Sequence, residues 1–147
     1  MSHRDERGQG AAASGSCLCG RVRFEASVPS LFCAHCHCSM CRRSHGAGFV
    51  TWFAVPRTRL RITAGESDLV RFQSSDHGTR SFCGSCGSSL FFESTLHAER
   101  IDIALANMDE PIDREPQLHA YFDHRAEWVT VDDSLPRLGG ETGVEPL

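Results

Sequence analysis

Residues 80–87 read Arg-Ser-Phe-Cys-Gly-Ser-Cys-Gly, and the two thiols in that stretch, Cys83 and Cys86, set how the chain must close. Two thiolates spaced Cys-x-x-Cys clasp one ion only if the backbone turns tightly around it. The glycines that follow them, Gly84 and Gly87, permit the positive φ that such a turn requires. A knuckle of this kind needs a second pair, and Cys17 and Cys19 suit the role. Residues i and i+2 of a strand project from one face, so Cys-x-Cys makes a pincer. Zn²⁺ takes four thiolate or imidazole ligands in a tetrahedron, at about 2.3 Å for sulfur. Tying residue 17 to residue 86 closes most of the domain around one ion. Structural zinc contributes on the order of 10 kcal/mol to folding, so this site is expected to govern whether the fold exists.

Working outward, a second cluster lies at Cys36-His37-Cys38-Ser39-Met40-Cys41, with Cys33 just upstream. Three thiolates around Zn²⁺ carry a net charge of −1 and leave a fourth position. A closed site is structural, whereas a site one ligand short can do chemistry. Thiolate donors make the metal a weak Lewis acid, and borderline-soft zinc accepts another thiolate readily. The triplet therefore suits a thiol substrate held in its deprotonated, nucleophilic form. Arg42 and Arg43 sit beside it, and arginine forks pair with carboxylates bidentately. The residues leave open what completes the triplet: Cys33 could close it as a fourth sulfur, or His35, His37 or His45 could fill the position. In an extended segment His37 should point away from the metal. His77, His97 and His124 read as surface residues, and His119, alternating with Leu118 and Ala120, is expected to face solvent or a cleft.

Disulfides are the competing use of these thiols. Residues 1–16 are polar and small, without the apolar run of a secretory leader. The chain is therefore expected in the cytoplasm, where patterned cysteines stay reduced and bind metal or react. No stretch approaches the roughly 18 apolar residues of a membrane span. The net charge of −4 argues against nucleic acid as a partner. All 15 basic residues are Arg, and the absence of Lys excludes Schiff-base chemistry and lysine-anchored pyridoxal phosphate.

The remaining pattern has a period of two. Val22, Phe24 and Ala26, then Leu60 and Ile62, Ile101 to Leu105, and Val129 and Val131 each alternate with polar or small residues, as half-buried strands do. Phe49–Val55 and Leu90–Phe92 are denser, as strands covered on both faces are. Turn signals fall at Val55-Pro56, Gly65, Asp76-His77-Gly78 and Asp109-Glu110-Pro111. One short helix is expected over residues 40–45, capped by Ser39 and stopped by Gly46. The class is mainly β. Residues 1–14 and the Gly-rich, acidic 139–147 read as flexible tails around one domain at 15–138.

The chain resembles the glutathione-dependent formaldehyde-activating enzyme family, which also includes centromere protein V-type proteins. The resemblance rests on G-S-C-L-C-G (15–20), C-H-C-S-M-C-R-R (36–43), F-V-T-W (49–52) and R-S-F-C-G-S-C-G (80–87). A weaker match runs through Pro116, His119, Arg125, Trp128, Asp132 and Leu135-Pro136. It implies a zinc-stabilised β-tent of small antiparallel sheets and two Zn²⁺ per chain. The structural ion would sit on Cys17, Cys19, Cys83 and Cys86, and the catalytic ion on Cys36, Cys38 and Cys41. It also implies a carbon–sulfur lyase, with a small thiol such as glutathione and an aldehyde as partners, forming or cleaving S-hydroxymethylglutathione. Arg42 and Arg43 are then the expected holders of the glutathione carboxylates. The alternative is a non-catalytic module of the same fold, whose zinc ions only hold it together.

Overall fold

A computed structural model of the protein describes residues 11–147. In chain order the strands are β1 (Ala12–Ser16), β2 (Arg23–Ser27), β3 (Phe32–Cys36), β4 (Val50–Pro56), β5 (Leu60–Ala64), β6 (Leu69–Gln73) and β7 (Gly78–Cys83). They continue with β8 (Ser89–Ser94), β9 (Arg100–Ala104), β10 (His119–Ala120), β11 (Leu138–Gly139) and β12 (Glu145–Pro146). The one α-helix among the described residues, α1, spans Ser39–His45. Strands β1-β2-β5 make a three-stranded sheet, and β10-β3-β4-β9-β8-β7-β6 make a seven-stranded one. All neighbours in these sheets are antiparallel except β10 and β3, which run parallel. The mainly β class expected from the alternating pattern is what forms, with small sheets as the family resemblance implies. Among the described residues no helix is long and apolar enough to cross a membrane.

The pleat divides the large sheet into two chemically different faces. Cys33, Phe53, Val55, Phe91, Ile101 and Ile103 turn toward the small sheet and meet Val22, Phe24 and Ala26 in one core. Phe24 stands edge-on to Phe91, with ring centroids 5.0 Å apart. Cys36, Val50, Trp52 and Ala104 fall on the opposite face and pack with Cys41. Side chains of a strand alternate between faces, so a cysteine's position parity in β3 decides which chemistry it joins. β4, whose Trp52 to Val55 are all buried, is covered on both faces, as its dense apolar run predicts.

Three local expectations are corrected. β1 begins at Ala12, inside the stretch read as tail; the other part of that tail, 1–10, lies outside the described residues. Gly15 of β1 has a packing reason: a Cβ there would come within 2.5 Å of the Phe24 ring, so only glycine lets that ring lie across the strand. At the other end, β11 and β12 pair as a two-stranded sheet that runs from Leu138 into the residues read as a C-terminal tail. Val129 and Val131 belong to no strand. Their alternation is real, but no neighbouring strand meets them there, and period two cannot report whether a sheet edge is available.

Candidate metal centres

Cys17 and Cys19 lie in a turn directly after β1, not on the strand itself, while Cys83 ends β7 and Cys86 lies in the turn beyond it. One sulfur from each lies within 4.8 Å of the others. Cys17 and Cys19 Sγ are 3.5 Å apart, and Cys19 and Cys83 Sγ 3.8 Å. Four sulfurs at about 2.3 Å from one tetrahedral zinc would stand about 3.8 Å from each other, so the donor set fits that ion. The loops are fastened independently of any metal. The Val22 N–H donates to Cys17 Sγ at 3.3 Å, and Leu18 N–H to Ser88 Oγ at 2.8 Å. The glycines differ from the expectation: Gly87 has φ 79°, whereas Gly84 is needed because a Cβ there would meet Val70 Cγ2 at 2.9 Å. The Ser88 hydroxyl and backbone hold the Cys86 thiol down to about 5, ready to bind as thiolate. All eight cysteines are free thiols.

The second cluster forms where β3 meets α1. Cys36 is the last residue of β3, Cys38 caps the helix and Cys41 sits in its first turn. One sulfur from each lies within 4.8 Å of the others, and no fourth Cys, His, Asp or Glu joins them at that spacing among the described residues. The cap is Cys38 in place of the expected Ser39: its sulfur accepts from the Cys41 N–H at 3.3 Å. Gly46 ends the helix with φ 61°, as expected. The three thiols divide their protons unequally. Hydrogen bonds from Cys36 and Cys41 pull Cys38 down to about 2, while the same contacts with Cys38 and Cys41, plus burial, push Cys36 up. Cys33 does not approach this set, since three residues along a strand bring it to the other face, where burial raises its thiol to about 11.

A residue that sequence reading passed over lies against the triplet. Arg80 of β7 is buried, and its Nη1 and Nη2 approach Cys41 Sγ at 3.8 and 3.7 Å. Its guanidinium carbon lies 4.9 Å from the Phe92 ring centroid, and its Nε has no partner among the described residues. Arg80 thus brings a fixed positive charge to the sulfurs from 39 residues away in sequence. Trp52, Phe92 and Tyr121 pack around the same sulfurs. Tyr121 holds a left-handed φ of 51°, uncommon outside glycine. His45 stands edge-on to Trp52 at 5.1 Å, and burial, reinforced by Arg80, lowers its imidazole to about 4. Arg42 spends two donors on backbone carbonyls, Nε on His37 at 3.2 Å and Nη2 on His124 at 3.1 Å. Arg43 is exposed.

The histidines contradict one expectation. His119 is buried, not facing solvent. It pairs with His35 across the parallel β10–β3 contact. Its Nδ1 lies 2.8 Å from His37 Nε2, and its Nε2 2.9 Å from Asp133 Oδ2. His37 points away from the sulfurs, as expected of an extended residue between two ligands. Only the alternation of His35 and His37 hinted at this group in sequence; the β10 partner could not be read.

Three β-sheets among the described residues, one gathered four-cysteine cluster and one three-cysteine cluster define a class of protein whose thiols could hold metal ions. Residues 12–124 match the family described as glutathione-dependent formaldehyde-activating enzyme, and the chain belongs to that family. It is 25% identical over 134 residues to a Halomonas elongata protein named "Putative glutathione-dependent formaldehyde-activating enzyme", with 80% of each chain covered. It is 30% identical over 83 residues to an uncharacterised lyase of Schizosaccharomyces pombe, covering 55% of this chain and 57% of the relative. A crystal structure of a Rhodobacter sphaeroides protein is similar at TM-score 0.57 and 25% identity, covering 69% of this chain and 92% of that one.

Proposed function

We infer that the protein is a cytoplasmic carbon–sulfur lyase that joins a small thiol such as glutathione to formaldehyde, or runs the reverse, at Cys36, Cys38 and Cys41. The observation that supports it best is the missing fourth donor: three sulfurs converge with no further protein ligand among the described residues. Two Zn²⁺ per chain fit the two donor sets, with Cys17, Cys19, Cys83 and Cys86 as the structural set. When bound at the triplet, zinc supplies a position at which a thiol is held as its thiolate.

This chain's own residues do the remaining work. The Arg80 guanidinium, fixed against Cys41 Sγ, offsets the negative charge of three thiolates and so favours the arrival of a fourth. Trp52 and Phe92 limit water around the sulfurs. Of the two arginines beside the motif, Arg43 is the better carboxylate holder, because Arg42 is already engaged by carbonyls. In the reaction the thiol sulfur attacks the aldehyde carbon and forms the C–S bond. The C=O π pair moves to oxygen, and the thiol's proton ends there; nothing is oxidised or reduced.

Exchange NMR of glutathione with formaldehyde tests this. The protein should accelerate formation and breakdown of the adduct, and Cys38→Ser should abolish that acceleration. An exchange rate unchanged by the zinc-loaded protein would leave the non-catalytic zinc module as the correct reading.

A further inference from the structure

The histidine group outside the sulfur clusters has the make-up of a metal site. One ligand atom each of His35, His119 and Asp133 lies within 4.8 Å of the others. We propose that these three residues form a third binding site for a divalent first-row transition metal, distinct from both cysteine clusters. Two imidazoles and one carboxylate with open positions suit zinc or iron(II). The three donors come from a cross-strand pair plus a loop: His35 and His119 are register partners in β3 and β10, so both rings stand on one face, with centroids 4.9 Å apart.

The orientation of each ligand is held from behind. Metal-binding histidines normally give their other nitrogen to a hydrogen-bond partner, which fixes the ring. His35 Nδ1 lies 2.8 Å from Thr51 Oγ1, leaving Nε2 for a metal. His119 Nδ1 lies 2.8 Å from His37 Nε2, leaving its Nε2 beside the carboxylate. Asp133 Oδ1 accepts from the Leu135 N–H at 3.0 Å and lies 3.4 Å from Arg137 Nη1. The 2.9 Å between His119 Nε2 and Asp133 Oδ2 is near the ligand spacing of about 3.3 Å that bonds of about 2.0–2.1 Å impose around tetrahedral zinc. His119 is buried, but His35 is half-buried and the Asp133 side chain is 40% exposed. An ion can therefore enter from solvent. In the metal-free protein the His119 ring and the Asp133 carboxylate satisfy each other through a hydrogen bond, which the metal would replace. This site lies on the face of β3 opposite Cys36, so it shares no ligand with the triplet.

The test uses the full chain loaded with two equivalents of zinc, to which Co²⁺ is added as the probe and followed by absorption. One further equivalent should bind, with weak visible bands of a nitrogen–oxygen ligand set and no new sulfur-to-cobalt charge transfer. Asp133→Asn and His35→Gln should each weaken that binding by about tenfold or more. His35→Gln keeps the Asp133–His119–His37 hydrogen bonds, so its effect separates metal binding from a purely structural cluster. Absence of a further equivalent, a further equivalent that appears only as sulfur charge transfer, or binding unchanged in both variants would each overturn the proposal.

Discussion

The two cysteine clusters gather the same atoms in opposite ways. In the four-sulfur cluster, Cys19 meets Cys83 across 64 positions of sequence; in the three-sulfur cluster, Cys36 to Cys41 are neighbours around one helix start. A crosslink that closes a long loop removes much of the unfolded chain's freedom, whereas one within a turn removes little. The first cluster is also part of the core between the two sheets, through buried Cys17 and Cys83. The second lies on the far face, with no fourth donor among the described residues and with a buried arginine and aromatic rings around it. On the function proposed above, a metal that closes the chain contributes to folding, and one held by ligands the backbone has already placed is free to hold a substrate.

The largest expected effect breaks this contrast at its stronger end. Cys83→Ser or Cys86→Ser should cost on the order of 10 kcal/mol of metal-linked stability, leaving a chain without a cooperative melting transition by circular dichroism. Cys38→Ser should behave differently. It should melt within several degrees of the parent, for about 1–2 kcal/mol, while the glutathione–formaldehyde exchange rate falls by about a hundredfold or more. Equal destabilisation by the two kinds of variant would erase the division between them.

Acid sharpens the comparison on the triplet side. His45 has its imidazole lowered from 6.5 to about 4, so between those values the folded protein binds fewer protons there than the unfolded chain. Stability from this group is full above 6.5 and is lost as pH falls toward 4. His45→Gln should flatten the parent's decline over that window by about 1–2 kcal/mol, after discounting for solvent screening. Urea unfolding of both proteins at pH 7 and pH 4.5 measures it, and parallel declines would contradict the shift.

The smallest effect concerns Cys33, the sulfur excluded by the pleat. Cys33→Ala should cost about 1 kcal/mol for the small cavity and leave both the sulfur-to-cobalt absorption and the exchange rate at the parent's values. Loss of one sulfur from the cobalt spectrum would mean that Cys33 closes the triplet after all.

Much of this was legible in the order of residues. The spacings Cys-x-Cys, Cys-x-x-Cys and Cys-x-Cys-x-x-Cys are short enough for covalent geometry alone to bring their sulfurs near one another. Alternation at Phe24, Ala26, Ile101 and Ile103 reports a buried face wherever a strand pairs, and Gly46 marks a helix end by its backbone freedom. The same local signals misread β1, whose Gly15 is required because the Phe24 ring lies against it, and Val129–Val131, which alternate with no neighbour to pair with.

The tertiary structure decided what each local motif meets. Arg80 reaches Cys41 because β7 lies in the same sheet as the strand that leads to it. His119 is buried because a two-residue strand runs parallel to β3. Cys33 is kept from the triplet because the sheet's two faces are covered by different partners. By itself the sequence determined which residues could share an ion, since a few bonds fix their reach. Which distant charge, ring or face completes each group was settled only by the burial of apolar side chains, whose attraction has no direction, so that their spacing marks a buried face without naming what covers it.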